Sequence, residues 1–241
     1  MTDWQGAWAL FKHELRHSLL GLLITLLFFV YMAVVVSPLL DGIAEHSDYL
    51  RGFGWAGDFV YLTLLPNMGF MMSANRMRYW KTDFFSRKLA YWRILSIGMN
   101  SIVMARILML LAVMVTVGLF YFTLQYAILS ELRSLMSMGE YAAFACTWLG
   151  YALLAGSTYM YFEQTCKGKV YLIVCFSYLG LYVVLTGIFA LTGTSVLEWT
   201  IEAVRDGNRV PSIVMPLAGF AFLAITGAMV RKRLAARSLL D

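Results

Sequence analysis

Six apolar runs, each about as long as a bilayer-crossing helix, fill most of this chain and constrain its fold more than any motif does. A hydrocarbon core of about 30 Å is crossed by about 20 helical residues. The runs lie at residues 18–40, 55–73, 102–128, 141–162, 170–191 and 211–230. Hydrophobic residues make up 61% of the chain and charged residues 14%, far from the roughly 45–50% and about 25% of soluble domains. Of 241 residues, six spans leave only loops and ends, without room for a separate soluble catalytic domain. The expectation is an all-α polytopic membrane protein, one transmembrane domain over 1–241. The first run is too long for the core of a signal peptide and no small-residue cleavage site follows it, so it is expected to stay as an anchor.

A net charge of +5 could suggest nucleic-acid binding, but the basic residues are segregated by loop. Lys12, Arg16, six residues in 76–93, Arg106, Lys167, Lys169 and four at the C-terminus fall on one side, and only Arg51, Arg133, Arg205 and Arg209 on the other. By the positive-inside rule this predicts six spans with both termini cytoplasmic.

Two segments outside the spans have helical character. In residues 1–17, Trp4, Trp8, Phe11 and Leu15 repeat on one side and Lys12, His13, Glu14, Arg16 and His17 cover the other, the pattern of an interfacial helix. The loop RMRYWKTDFFSRKLAYWR, 76–93, is basic and aromatic. Thr82 or Asp83 can cap a helix over 82–93 with Phe85, Leu89 and Trp92 on one face, and Gly98 to Ser101 break it from the third span. The outer connection 192–210 mixes Val196, Leu197, Trp199, Ile201 and Val204 with acids, and reads as a short amphipathic element at the outer interface.

Sites for chemistry are few. No GxSxG, GxxxxGK[ST] or GxGxxG occurs, so the chain has no visible means of binding ATP or of nucleophilic catalysis. An intramembrane protease or lipid transferase would need clustered Glu, His, Ser or Asp at one depth, and the spans do not offer them. His13 and His17 share a face at i, i+4 but lack a third ligand, and are expected to be solvated. Cys146, Cys166 and Cys175 show no CxxC or metal spacing and are expected to be reduced and buried. Asp58 and Arg106, near opposite ends of their spans, are expected to reach their own interfaces rather than meet, with a place in a transport path as the other reading. Pro66 and Asn67 should kink the second span and offer a hinge or pathway position. Ala152 and Gly156 permit close helix approach.

Taken together, the arrangement resembles the membrane subunit of an ABC-2 type transporter, the exporter class whose permease is a separate six-span polypeptide. The likeness is architectural: an N-terminal amphipathic helix, two spans, then KTDFFSRKLAYWRILSIGMNSIVMAR where that family carries its coupling helix, and 192–210 where it carries an outer re-entrant hairpin. The nearest string to the importer EAA loop, Glu140 to Ala143, falls on the outer side, which favours export. The resemblance implies a plasma-membrane permease that pairs with a second copy or a sister subunit. Two cytosolic ATPases would bind ATP and Mg, with no cofactor in this chain. Phe84, Phe85, Arg87, Lys88, Leu89, Tyr91, Trp92 and Arg93 would seat against the ATPase, and the helix from Trp4 to His17 would rest at the same junction. The competing expectation is an ATP-independent channel, scramblase or accessory membrane protein.

Overall fold

The computed structural model describes residues 2–44, 54–72, 88, 91–92 and 97–236. Every regular element among them is helical. In chain order these are α1 (Asp3–His17), α2 (Leu19–Ala44), α3 (Gly54–Leu64) running into a 3-10 turn (Leu65–Gly69), α4 (Met99–Ile128), α5 (Ser130–Leu135), α6 (Met138–Thr165), α7 (Gly168–Thr192), α8 (Val196–Arg205) and α9 (Val210–Ala236). Residues 19–40 of α2, together with α4, α7 and α9, are long and apolar enough to cross a membrane.

The other two expected spans differ from simple apolar rods for physical reasons. The 28 residues of α6 are diluted by Tyr, Thr, Ser and Gly, yet this helix is the hub of the bundle. Tyr141, Phe144, Trp148, Ala152, Tyr159 and Glu163 along it are all buried, so protein rather than lipid surrounds them. Along its length lies α9, with backbones nearly touching: a Cβ built on Gly150 would sit 2.3 Å from the Pro216 nitrogen. Close approach here depends on Gly150, whereas Gly156 of the expected small-residue pair faces the carbonyl of Pro66.

The expected span over 55–73 is not one continuous helix. Pro66 has no N–H to bond the carbonyl four residues back and its ring crowds it. That carbonyl, on Leu62, accepts instead from the Tyr151 hydroxyl at 2.8 Å. One residue on, the Thr63 carbonyl accepts from Asn67 Nδ2 at 2.7 Å. With its helical pattern interrupted, the backbone tightens into the 3-10 turn and leaves it extended at Phe70. At 1.5 Å per α-residue and 2.0 Å per 3-10 residue, 54–69 still spans about 27 Å.

Half of the apolar window of α4 is buried (50%) but only 11% of that of α7, so the core sits around α4 and α6 while α7 is peripheral. The cysteines are free, but Cys146 is exposed and Cys166 and Cys175 are half-buried, against the expectation that all three are buried. Residue 146 falls on the side of α6 that its neighbours leave uncovered.

Candidate functional site

At the end of the bundle that carries α1, several sequence elements converge. A capping box between Thr2 and Gln5 starts α1. The Ser101 hydroxyl then donates to the Asp3 carbonyl, and Asn100 Nδ2 to Asp3 Oδ2, each at 2.9 Å. Gly6 lets the two helices close, since a Cβ there would come within 2.8 Å of Ser101 Oγ. So α1 is pinned to the first turn of α4. Its outer stripe carries Trp4 (53% exposed) and Trp8 (42% exposed). These rings stack at 6.4 Å between centroids, and Lys12 Nζ lies 5.4 Å above Trp8. Phe11 turns inward to the main core and Leu15 packs against it.

From the basic loop, Lys88, Tyr91 and Trp92 are described. Lys88 pairs with Glu14 of α1, and its ammonium lies 4.7 Å over the Trp92 ring. Burial lowers the Lys88 pKa, and the neighbouring Glu14 carboxylate opposes that shift. Trp92 packs on a small core made by Ala7 and Leu10 of α1, Ile102 of α4, and Val230 and Leu234 of α9. Tyr91 points away, 60% exposed. The other residues expected to seat on an ATPase, Phe84, Phe85, Arg87, Leu89 and Arg93, lie outside the described residues, as do the caps Thr82 and Asp83.

Arg106 does not reach solvent on its own. Its guanidinium pairs with Glu163 of α6 and lies 5.9 Å from the centroid of Phe70. Glu163 is 1% exposed, so a full carboxylate is buried opposite a nearly buried cation. Both charges also act on Lys88, which makes Glu14, Lys88, Arg106 and Glu163 one alternating set joining α1, the loop, α4 and α6. Glu163 lies one residue beyond the expected fourth span, 141–162, where an acid reads as part of a loop. The usable signal was an acid at the same end of its span as Arg106.

At the opposite end, Asp58 is fully buried. It accepts from the Ser195 hydroxyl at 3.0 Å and from the N–H groups of Val196 and Leu197 at 3.1 and 2.8 Å. A carboxylate at the positive end of a helix dipole satisfies donors that no turn precedes. Asp58 therefore fastens α8 to α3. Asp58 and Arg106 sit at opposite ends of the bundle and do not meet.

Beside Asp58 lies an uncharged network that the sequence did not disclose. Tyr61 donates to Gln125 Oε1 at 2.9 Å, Tyr141 lies 3.1 Å from the same oxygen, and Gln125 Nε2 donates to Tyr121 at 3.3 Å. The His13 and His17 rings lie 4.3 Å apart with their planes tilted by 31°, and His17 Nδ1 is 2.9 Å from the His13 carbonyl. No group of three His, Cys, Asp or Glu residues suited to a metal occurs among the described residues. No protein-family model, no curated protein and no solved structure matches this chain.

Proposed function

We propose that the chain is the membrane-spanning permease subunit of an ATP-driven exporter of the ABC-2 type. It crosses the plasma membrane six times with both termini cytoplasmic and forms the translocation path with a second permease subunit. Separate cytosolic ATPases bind ATP and Mg, and this chain contributes no catalytic group. The two spans that differ from simple apolar helices are compatible with six crossings: residues 54–69 extend about 27 Å and the 28 residues of α6 about 42 Å.

One observation carries the reading. The segment holding Lys88 and Trp92 is joined to α1 by an ion pair and to α4 and α9 by apolar packing. A force applied to that loop from outside the bundle has a direct mechanical route into the transmembrane helices. A loop that only set topology would need its positive charge but not this attachment. Residues 82–93 are the coupling helix in this account, α1 is the interfacial element beside it, and α8 is the outer re-entrant element.

The test is to co-purify the chain with the ATPase encoded nearest to it and measure ATP turnover with and without the chain. A stable complex with altered turnover is expected. Absence of association with any ATPase would leave the channel, scramblase or accessory reading in its place. Within a working complex, replacing Leu89 and Trp92 with Asp should abolish stimulated turnover while membrane insertion persists.

A further inference from the structure

A cavity of about 590 Å3 lies between α2, α3 with its 3-10 turn, and the first turn of α7. Along one wall Phe59, Thr63 and Asn67 recur at i, i+4, i+8, and the wall continues to Phe70. From 59 to 70 the backbone rise makes it about 18 Å long. Phe28 and Met32 face it from α2 and Leu172 from α7. Its shape is elongated, and its walls are mainly aromatic and aliphatic.

None of the lining residues is an acid or a base, so an ion inside would lack a counter-charge in a low-dielectric space. The polar groups are nearly all engaged by the fold. The Thr25 hydroxyl donates to the Gly21 carbonyl at 2.7 Å and accepts from the Met72 N–H at 2.8 Å. Thr63 donates to the Phe59 carbonyl at 2.6 Å. Asn67 differs: Nδ2 is bonded to the Thr63 carbonyl, but no donor among the described residues reaches Oδ1, and the residue is exposed. Serines and threonines within helices can return their hydroxyl to their own backbone, whereas an amide oxygen cannot donate. An unpartnered amide acceptor within a membrane-embedded bundle is costly unless something donates to it.

We infer that this cavity binds an elongated, uncharged amphiphile whose single hydroxyl or N–H donates to Asn67 Oδ1 while its apolar chain lies along Phe59, Phe28 and Leu172. The inference does not depend on an ATPase partner. The same chemistry is offered by a neutral membrane lipid and by a single-chain cargo.

The experiment uses the full chain in phosphatidylcholine nanodiscs and three photoactivatable probes of equal chain length: a diazirine analogue of hexadecanol, one of palmitate and one of hexadecyltrimethylammonium. Labelling is mapped by mass spectrometry. The alcohol is expected to label 59–72 and Leu172 saturably, and excess hexadecanol should compete. Asn67→Leu should weaken that competition about ten-fold, the loss of one hydrogen bond in an apolar site. Leu172→Trp, which fills the cavity without touching Asn67, should abolish saturable labelling even if the Asn67 variant does not fold. Competition by diacylglycerol equal to that of hexadecanol assigns the site to a membrane lipid; competition by hexadecanol alone assigns it to a single-chain cargo. Equal labelling by all three probes, labelling that cannot be competed and matches that at outward-facing Phe176, or unchanged competition in a folded Asn67→Leu protein would each overturn the inference.

Discussion

The two ends of the bundle handle buried polarity differently. At the α1 end the polar contacts between elements include two ion pairs, Glu14 with Lys88 and Arg106 with Glu163. At the α8 end they are directional hydrogen bonds: Asp58 on the first turn of α8, and tyrosines around Gln125. Coulomb attraction falls slowly with distance, whereas a hydrogen bond weakens steeply once its angle closes. Elements held by ion pairs can slide by a fraction of an ångström and stay attracted; a helix held by three hydrogen bonds to one carboxylate cannot. The ion-paired contacts at the α1 end therefore tolerate small displacements that the Asp58 clamp on α8 does not, while α1 itself stays pinned to α4 through Asp3.

Removing one charge of the buried pair is the hardest test of this contrast. Glu163→Ala leaves Arg106 without its carboxylate in an enclosed site and should cost about 3–5 kcal/mol, read as loss of thermal stability in detergent. Replacing both, with Arg106→Met and Glu163→Leu, should recover most of that stability. If the single variant were as stable as the parent, the pair would not be holding α4 to α6.

Asp58→Ala should come next, at about 2–3 kcal/mol for the donors it strands. Its signature is local: hydrogen exchange should quicken across Val196–Arg205 and leave α1 unchanged. Exchange that rose equally at both ends would erase the distinction between the clamped α8 end and the ion-paired α1 end. Gln125→Leu removes the acceptor shared by Tyr61 and Tyr141 and should cost about 1–3 kcal/mol, less for Tyr141, which keeps the Phe122 carbonyl at 2.9 Å.

Lys88→Glu should cost about 1–2 kcal/mol, because it sets a second carboxylate beside Glu14, whose side chain is only 12% exposed, while partial solvent access at position 88 (29%) softens the repulsion. In the proposed complex with an ATPase its further effect should be lost stimulation of ATP turnover, which the exchanged pair Glu14→Lys with Lys88→Glu restores. The smallest effect concerns Glu140, which accepts from the Ser137 N–H and hydroxyl at 2.7 and 2.8 Å. Those bonds hold its pKa below the ordinary 4.5. The capping contribution is therefore full above that value and is lost as pH falls through the depressed one. Protection factors at the start of α6, taken relative to the intrinsic exchange rate at each pH, should fall on acidification below about pH 4.5, and Glu140→Gln should remove that pH dependence.

Membrane character and the helical fold, with helices at α1 and α8, were legible from the sequence, because they follow from composition or from a period of 3.6 residues. Pro66 announced a break by its missing donor. It could not reveal that Tyr151, 89 residues from Leu62, would accept the task of bonding the stranded carbonyl. The partners of Asp58 and Arg106 were hidden for the same reason: where a charge ends up depends on what lies opposite it. Ser195 and Glu163 are 137 and 57 residues away from those two charges.

Hydrophobicity acts residue by residue and is additive along the chain, so the sequence by itself determined that this protein belongs in a membrane and which segments are apolar enough to lie there. Hydrogen bonds and ion pairs need a partner within a few ångströms at a suitable angle, and that partner is brought by packing. Only the tertiary structure decided that Gly150 would admit α9, that Asp58 would cap α8, and that Asn67 would line an apolar cavity.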